Sequence, residues 1–103
     1  MSLLEQAYHV ILGCALIGLW AHDLRLTNRP GHHVAALNSL ADTLDILPAR
    51  IDYFQALRDL RNKDPYTGHT YISGNQAAEA VEEARKLVQD LTAWLAQRSR
   101  SDG

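Results

Sequence analysis

Apolar residues recur at helical spacing in four separate stretches of this chain, at about 3–24, 31–45, 49–62 and 74–96. No stretch alternates strictly between apolar and polar residues, which is the pattern of a half-buried strand. The spacing therefore predicts an all-α protein of four helices. The stripe of the first helix comprises Leu4, Ala7, Ile11, Cys14, Ala15, Gly18 and Leu19, widened by Tyr8, Leu12 and Trp20, and the seam of the last comprises Ala77, Val81, Ala84, Leu87, Val88, Leu91, Trp94 and Leu95.

Proline, glycine and capping residues separate these stretches. Pro30 ends the first stretch and opens the second, and Pro48 suits the first turn of the third helix, where Asp45 is a candidate cap. Ser73 followed three positions later by Gln76 matches a capping box at the start of the last helix. The helix boundaries are therefore marked by local sequence as well as by the apolar pattern.

The connections between the four stretches are short, which favours an antiparallel up-and-down bundle. A chain of 103 residues is long enough for one hydrophobic core, so we predict a single domain over 1–103. The last residues, 97–103, are polar and are predicted to fray.

Composition narrows the cellular setting and the possible partners. Ten basic and twelve acidic side chains give a formal charge of −2, so any contact with nucleic acid has to be local. The single cysteine, Cys14, excludes an intramolecular disulfide and fits a small buried residue in the reducing cytoplasm. The uncharged segment 6–22 reaches only the lower limit of membrane-spanning length and contains His9, so we expect a central bundle helix and no membrane partner.

The end of the third helix carries the residues best suited to bind a ligand. Arg58 and Arg61 are three positions apart, share a helix face and can converge on one phosphate. With the following Asn62 and Lys63 they form the predicted ligand site. The alternative is that the two arginines form ordinary surface ion pairs with acidic residues, for which the candidates are Asp59, Asp64, Glu79, Glu82 and Glu83.

The five histidines do not form a metal-binding pattern. His32 and His33 are adjacent, so their side chains diverge by about 100° on a helix. Neither a Cys-x-x-Cys nor a His-Glu-x-x-His sequence occurs. We therefore expect no metal and no cofactor, and we expect His32 or His33 to contact the end of the third helix or a partner.

Five short features follow one another along the chain: Ala7-Tyr8-His9 in the first helix, Gly31-His32-His33 opening the second, Arg58 and Arg61 closing the third, Tyr66 in the next turn, and alanines Ala77, Ala80 and Ala84 opening the last. Together they resemble the HEPN superfamily, most closely its small bacterial and archaeal members. The resemblance implies a helical bundle, a homodimer, and binding or cleavage of RNA or nucleotide in a toxin–antitoxin or defence system, beside a nucleotidyltransferase-type or other neighbour-gene partner.

The resemblance also implies candidate catalytic residues. In ribonuclease members an arginine stabilises phosphate charge and a histidine transfers protons, roles that would fall to Arg61 and His69, with Tyr66 as a further candidate. Seven residues separate Arg61 from His69, which is more than in those members. Tyr66 is a poorer proton shuttle near neutral pH than a histidine. We therefore favour a binding domain, with a metal-independent ribonuclease and a purely structural oligomerisation domain as the alternatives.

The chain also departs from the family pattern at its front. Such domains often carry another helix before the Ala-Tyr helix, and this sequence begins directly at it. The missing helix would leave an apolar surface, which a second copy of the chain or another partner is expected to cover, and this favours oligomerisation.

Overall fold

Helices account for most of the chain that the structure, a computed structural model, describes. The described residues are 3–24, 31–62 and 74–102, with side chains as far as residue 100, and they contain no strand. The predicted all-α bundle is confirmed. In chain order the helices are α1 (Leu3–Ala21), α2 (His32–Asn38), α3 (Leu40–Thr43), α4 (Pro48–Asn62) and α5 (Gly74–Asp102).

The core is built around α1, whose predicted apolar stripe is buried as expected. Cys14 is a free, buried thiol within it, and burial raises its pKa. Trp20 is the exception, since 62 % of it is exposed although the pattern placed it beside the stripe. The largest fully buried side chains are Tyr8, Ile11, Leu37, Leu40, Phe54 and Leu87.

The second predicted helix, 31–45, is divided at Ser39 into α2 and α3. The Ser39 hydroxyl donates a hydrogen bond of 2.6 Å to the Ala36 carbonyl, and the Thr43 hydroxyl donates one of 3.1 Å to the Ser39 carbonyl. Such side-chain bonds compete with the regular backbone ladder. The apolar spacing could not show this break because it continues through Ser39.

Two aspartates in the left-handed region terminate helices. Asp23 lies just after α1 with φ 63°, and Asp45 lies just after α3 with φ 56°. After α1 the Leu24 amide donates to the Leu19 carbonyl at 2.8 Å and the Asp23 amide to the Trp20 carbonyl at 2.9 Å, which are the two bonds of a Schellman C-cap. After α3 the Ile46 amide donates to the Leu40 carbonyl at 3.1 Å, six residues back. Asp45 therefore lies at the end of α3. The sequence had suggested instead that it caps the start of α4, and this prediction is wrong. The first turn of α4 bonds instead to the carbonyl of Leu47, just before Pro48.

Contacts between the helices define their directions. Tyr8 lies beside His33 and Gly18 beside Thr43, so α2 and α3 run in the same direction as α1. His22 stacks on Trp94 at the far end of α1, so α5 is also parallel to α1. The helix α4 runs in the opposite direction to the other helices, so the chain reverses direction only on entering and on leaving α4. The short connections did not predict these directions. A connection of six or seven residues can reach about 20 Å when extended, so it can join parallel helices as well as antiparallel ones.

The outer helices differ from their predicted bounds. The last helix was expected to end at about 96 and continues to Asp102, which includes most of the segment predicted to fray. The capping serine, Ser73, lies outside the described residues. By length and composition alone α1 could cross a membrane, and 44 % of its apolar window is buried inside the bundle.

Candidate anion-binding site

Arg58 lies on α4 and is half-buried, and its guanidinium contacts two neighbouring side chains of the same helix. Its Nη2 lies 3.0 Å from Asp59 Oδ1, and its Nε donates to Gln55 Oε1 at 3.2 Å. The Asp59 side chain is 64 % exposed, so this ion pair is screened by water and weak. The alternative of a surface ion pair therefore applies to Arg58, although the pair neutralises it only in part.

Arg61, one turn further along α4, has a different environment. Its guanidinium carbon lies 5.3 Å from the centroid of the Tyr8 ring, a cation–π contact with α1. Within the described residues, no carboxylate oxygen approaches a nitrogen of Arg61 within 4.0 Å. Its charge is therefore not compensated by an ion pair in this part of the chain.

The acids of α5 that could have paired with the arginines have other partners. Glu82 lies 3.8 Å from Arg85, and Glu83 lies 3.4 Å from Lys86. Glu79 is beside Tyr53, where burial first and this carboxylate second raise the pKa of the tyrosine to about 12. The α5 surface therefore does not neutralise the end of α4.

Tyr8 and His33 complete the surroundings of Arg61. The Tyr8 hydroxyl lies 3.3 Å from His33 Nδ1 and joins α1 to α2. Burial raises the pKa of Tyr8, an effect that Arg61 and Arg58 partly oppose. The hydroxyl therefore keeps its proton at neutral pH and can either donate to the imidazole or accept from it.

A second imidazole, that of His32, lies next to His33. The rings of His32 and His33 meet edge to face with centroids 4.3 Å apart. Burial lowers the pKa of His33, and the charges of His32, Arg61, Arg58 and His9 lower it further, in that order. We call Arg58, Arg61, His32 and His33, together with Tyr8, which contacts Arg61 and His33, the guanidinium–imidazole cluster.

The structure locates some of the predicted site residues and not others. Arg58 and Arg61 lie one turn apart on α4, and Asn62 is exposed at the end of this helix. The remaining candidates, Lys63, Tyr66 and His69, lie outside the described residues. His33, one of the two histidines expected to contact the end of the third helix or a partner, contacts Tyr8 of α1, and the charges of Arg61 and Arg58 lower its pKa.

Sequence reasoning did not name Tyr8 or His33 as site residues. Tyr8 fitted the apolar stripe of α1, and no local signal distinguishes a core tyrosine from one whose hydroxyl reaches a histidine 25 residues away. Among the described residues, no group of three or more histidine, cysteine, aspartate or glutamate side chains could hold a metal ion. The chemistry that the cluster offers is hydrogen bonding and positive charge.

A second surface feature runs along α1 and α5. Large apolar side chains face solvent at every seventh position of α1, and a similar row follows α5 beside it. A hollow of about 280 Å³ lies between the two helices near their N-terminal ends. We call these residues the heptad face: Leu3, Val10 and Ile17 of α1 and Leu24 just after its end, with Val81, Val88 and Leu95 of α5.

Comparisons with protein-family models, with curated proteins and with solved structures find no match to this chain.

Proposed function

We propose that this protein is a HEPN-like helical domain whose guanidinium–imidazole cluster binds phosphate groups of RNA or of a nucleotide. The observation that carries the proposal is the environment of Arg61, whose guanidinium rests on the Tyr8 ring without an ion pair in the described chain. A cation–π contact does not itself use an N–H donor of the guanidinium, and these donors suit a phosphate. A phosphate accepts such donors in pairs.

Arg58 and His33 add to the same site. The ion pair of Arg58 with exposed Asp59 contributes about 0 to 1 kcal/mol, so a phosphate can replace it at little cost. His33 contributes a ring nitrogen beside both arginines. A charge of −2 over the whole chain means that binding depends on this local group of donors rather than on a general positive field.

The family resemblance supports the biological part of the proposal. On that basis the domain works in the cytoplasm, in a toxin–antitoxin or defence system, beside a nucleotidyltransferase-type or other neighbour-gene partner. The ribonuclease alternative relies on Tyr66 and His69, which lie outside the described residues, and the proposal is therefore limited to binding.

Arg61→Ala is expected to weaken binding of a fluorescent single-stranded RNA oligonucleotide by about tenfold or more, because hydrogen bonds to charged groups contribute about 1.5 to 3 kcal/mol. Arg58→Ala should weaken binding less, since Arg58 already shares its charge with Asp59. Fluorescence anisotropy at a fixed salt concentration measures both effects, and a nucleoside monophosphate as competitor tests whether a single nucleotide suffices.

Arg98→Ala is the matched control for this experiment. Arg98 makes the same kind of contact as Arg61, with its guanidinium carbon 5.3 Å from the Trp94 ring, but near the other end of the bundle. Its replacement should leave RNA binding unchanged. Equal losses for Arg61→Ala and Arg98→Ala would indicate nonspecific attraction, and RNA that does not bind the wild-type protein would end the proposal.

The proposal includes a homodimer formed through the heptad face. A spacing of seven keeps side chains on one helix face, and helices that pair with each other use this spacing. Tyr8 projects about 160° around α1 from Val10, so the heptad face and the guanidinium–imidazole cluster lie on different sides of this helix. A second copy could cover the first without blocking the second.

Ile17→Glu, at the middle of the heptad face, is expected to convert a dimer of 11.5 kDa chains into a folded monomer, because a carboxylate would be desolvated in the interface. Light scattering coupled to size exclusion measures the mass, and circular dichroism checks the fold. Leu47→Glu, at an exposed site away from this face, should remain dimeric. A monomeric wild-type protein would contradict the homodimer, whereas a dimer that binds no RNA would favour the structural alternative.

A further inference from the structure

The Tyr8 hydroxyl can form a hydrogen bond with His33 in either protonation state of the imidazole. When His33 is neutral, the tyrosine hydroxyl can donate to Nδ1 across the 3.3 Å separation. When His33 is protonated, Nδ1 becomes a donor and the same hydroxyl oxygen can accept. Tyr8 is fully buried and its ring is held under Arg61, so its oxygen stays in place for either arrangement.

The charged and titratable groups around His33 come from three helices. Tyr8 and His9 approach it from α1, His32 from its own helix, and Arg58 and Arg61 from α4. Asp59 contacts Arg58 at one side of this group, and the charges of His32, Arg61, Arg58 and His9 all lower the pKa of His33. An imidazolium at His33 would therefore be surrounded by like charges, which disfavours it until an anion is added.

We infer that an anion binding at the guanidinium–imidazole cluster is taken up together with one proton, which is bound by His33. The inference rests on the proposed phosphate-binding function and adds its dependence on pH. The bound anion offsets the neighbouring positive charges and can accept a hydrogen bond from Nε2, while Tyr8 accepts the one from Nδ1. The ligand and the proton therefore favour each other.

The direction of the pH dependence follows from the free and bound states. In the free protein the pKa of His33 is below its ordinary value of 6.5, and a neighbouring anion raises it. Protons are taken up between these two values, so affinity increases as pH falls through this interval and becomes constant below it. The largest slope is about tenfold in affinity for each pH unit, the slope for one proton.

The probe should itself not titrate in this range. An oligouridylate with hydroxyl ends meets this condition because its phosphodiesters and bases do not change protonation state near neutral pH. Sulfate is a smaller probe with the same property. Binding is measured by calorimetry near pH 6.5 in two buffers of different ionisation enthalpy, which gives the number of protons taken up. Nuclear magnetic resonance of the His33 ring, with and without the probe, identifies the residue that changes its charge.

Wild-type protein should take up a measurable fraction of one proton. His33→Gln should still bind through the arginines but without this proton and with a flatter pH profile. His22→Gln is the matched control: its imidazole Nε2 also contacts a protein oxygen, the Thr43 carbonyl at 3.2 Å, but it lies about 21 Å along α1 from Tyr8. This variant should take up the same number of protons as the wild type.

Each outcome separates the inference from the function on which it rests. Binding that needs Arg61 but takes up no proton would overturn the inference and leave phosphate binding intact. Proton uptake that persists in His33→Gln and disappears in His32→Gln or His9→Gln would also overturn it, because another imidazole would be the acceptor. A protein that binds neither probe would fail both proposals.

Discussion

Replacing Phe54 by alanine is expected to lower the free energy of unfolding by about 3 to 5 kcal/mol. The side chain is fully buried in α4, with the Tyr53 ring at 6.0 Å and the Arg50 guanidinium carbon at 5.9 Å from its centroid. Truncation removes these contacts together with the apolar burial and leaves a cavity that the surrounding helices can close only in part. A domain of this size has a total stability of about 5 to 15 kcal/mol, so the variant would be close to unfolding.

Urea denaturation followed by circular dichroism measures this effect, and thermal unfolding should shift down by more than about 10 °C. Leu47→Ala is the control, because Leu47 is also a large apolar residue but is 67 % exposed. Its truncation should change stability by less than about 1 kcal/mol. Similar losses for the two variants would show that Phe54 is not a central core residue.

The second large effect is expected at Gly18 of α1, where the backbone passes close to α3. A Cβ atom added to Gly18 would lie 3.0 Å from Thr43 Oγ1 and 3.3 Å from Thr43 Cβ. Gly18→Leu would place a whole side chain in this contact, and overpacking of this kind costs about 1 to 3 kcal/mol or more. Urea denaturation at a fixed protein concentration tests it.

Gly13 supplies the opposite result within the same helix. Nothing lies within 4 Å of a Cβ atom added there, so Gly13→Ala gains helix propensity without a clash and should stabilise the protein by up to about 1 kcal/mol. The sign therefore reverses between two glycines five positions apart. If Gly18→Leu were as stable as the wild type, the close approach of α1 to α3 would be wrong.

Much of the fold could be predicted because it depends on local spacing. The buried stripe of α1 and the start of α4 at Pro48 follow from helical periodicity and proline geometry. Helix directions, the break at Ser39 and the αL geometry of Asp45 did not follow, since each depends on hydrogen bonds or tertiary contacts that apolar spacing does not encode.

The candidate site could be predicted to a smaller extent. Helical spacing placed Arg58 and Arg61 on one face, but it could not show that Asp59 shares the charge of one while Tyr8 lies under the other. The bond from Tyr8 to His33 depends on α2 running alongside α1, which is a property of the whole bundle. Chemistry formed between distant segments has no local sequence signal.

The buried position of Cys14 has a consequence for handling the protein. Oxidants and alkylating reagents attack the thiolate form of cysteine. The raised pKa of Cys14 disfavours the thiolate, and its exposure of only 4 % limits contact with solvent. The native chain is therefore expected to tolerate air without added reductant. Disulfide cross-links between molecules in an aged sample would mean that the bundle had opened. The oxidation state of Cys14 therefore reports whether the protein has unfolded during storage.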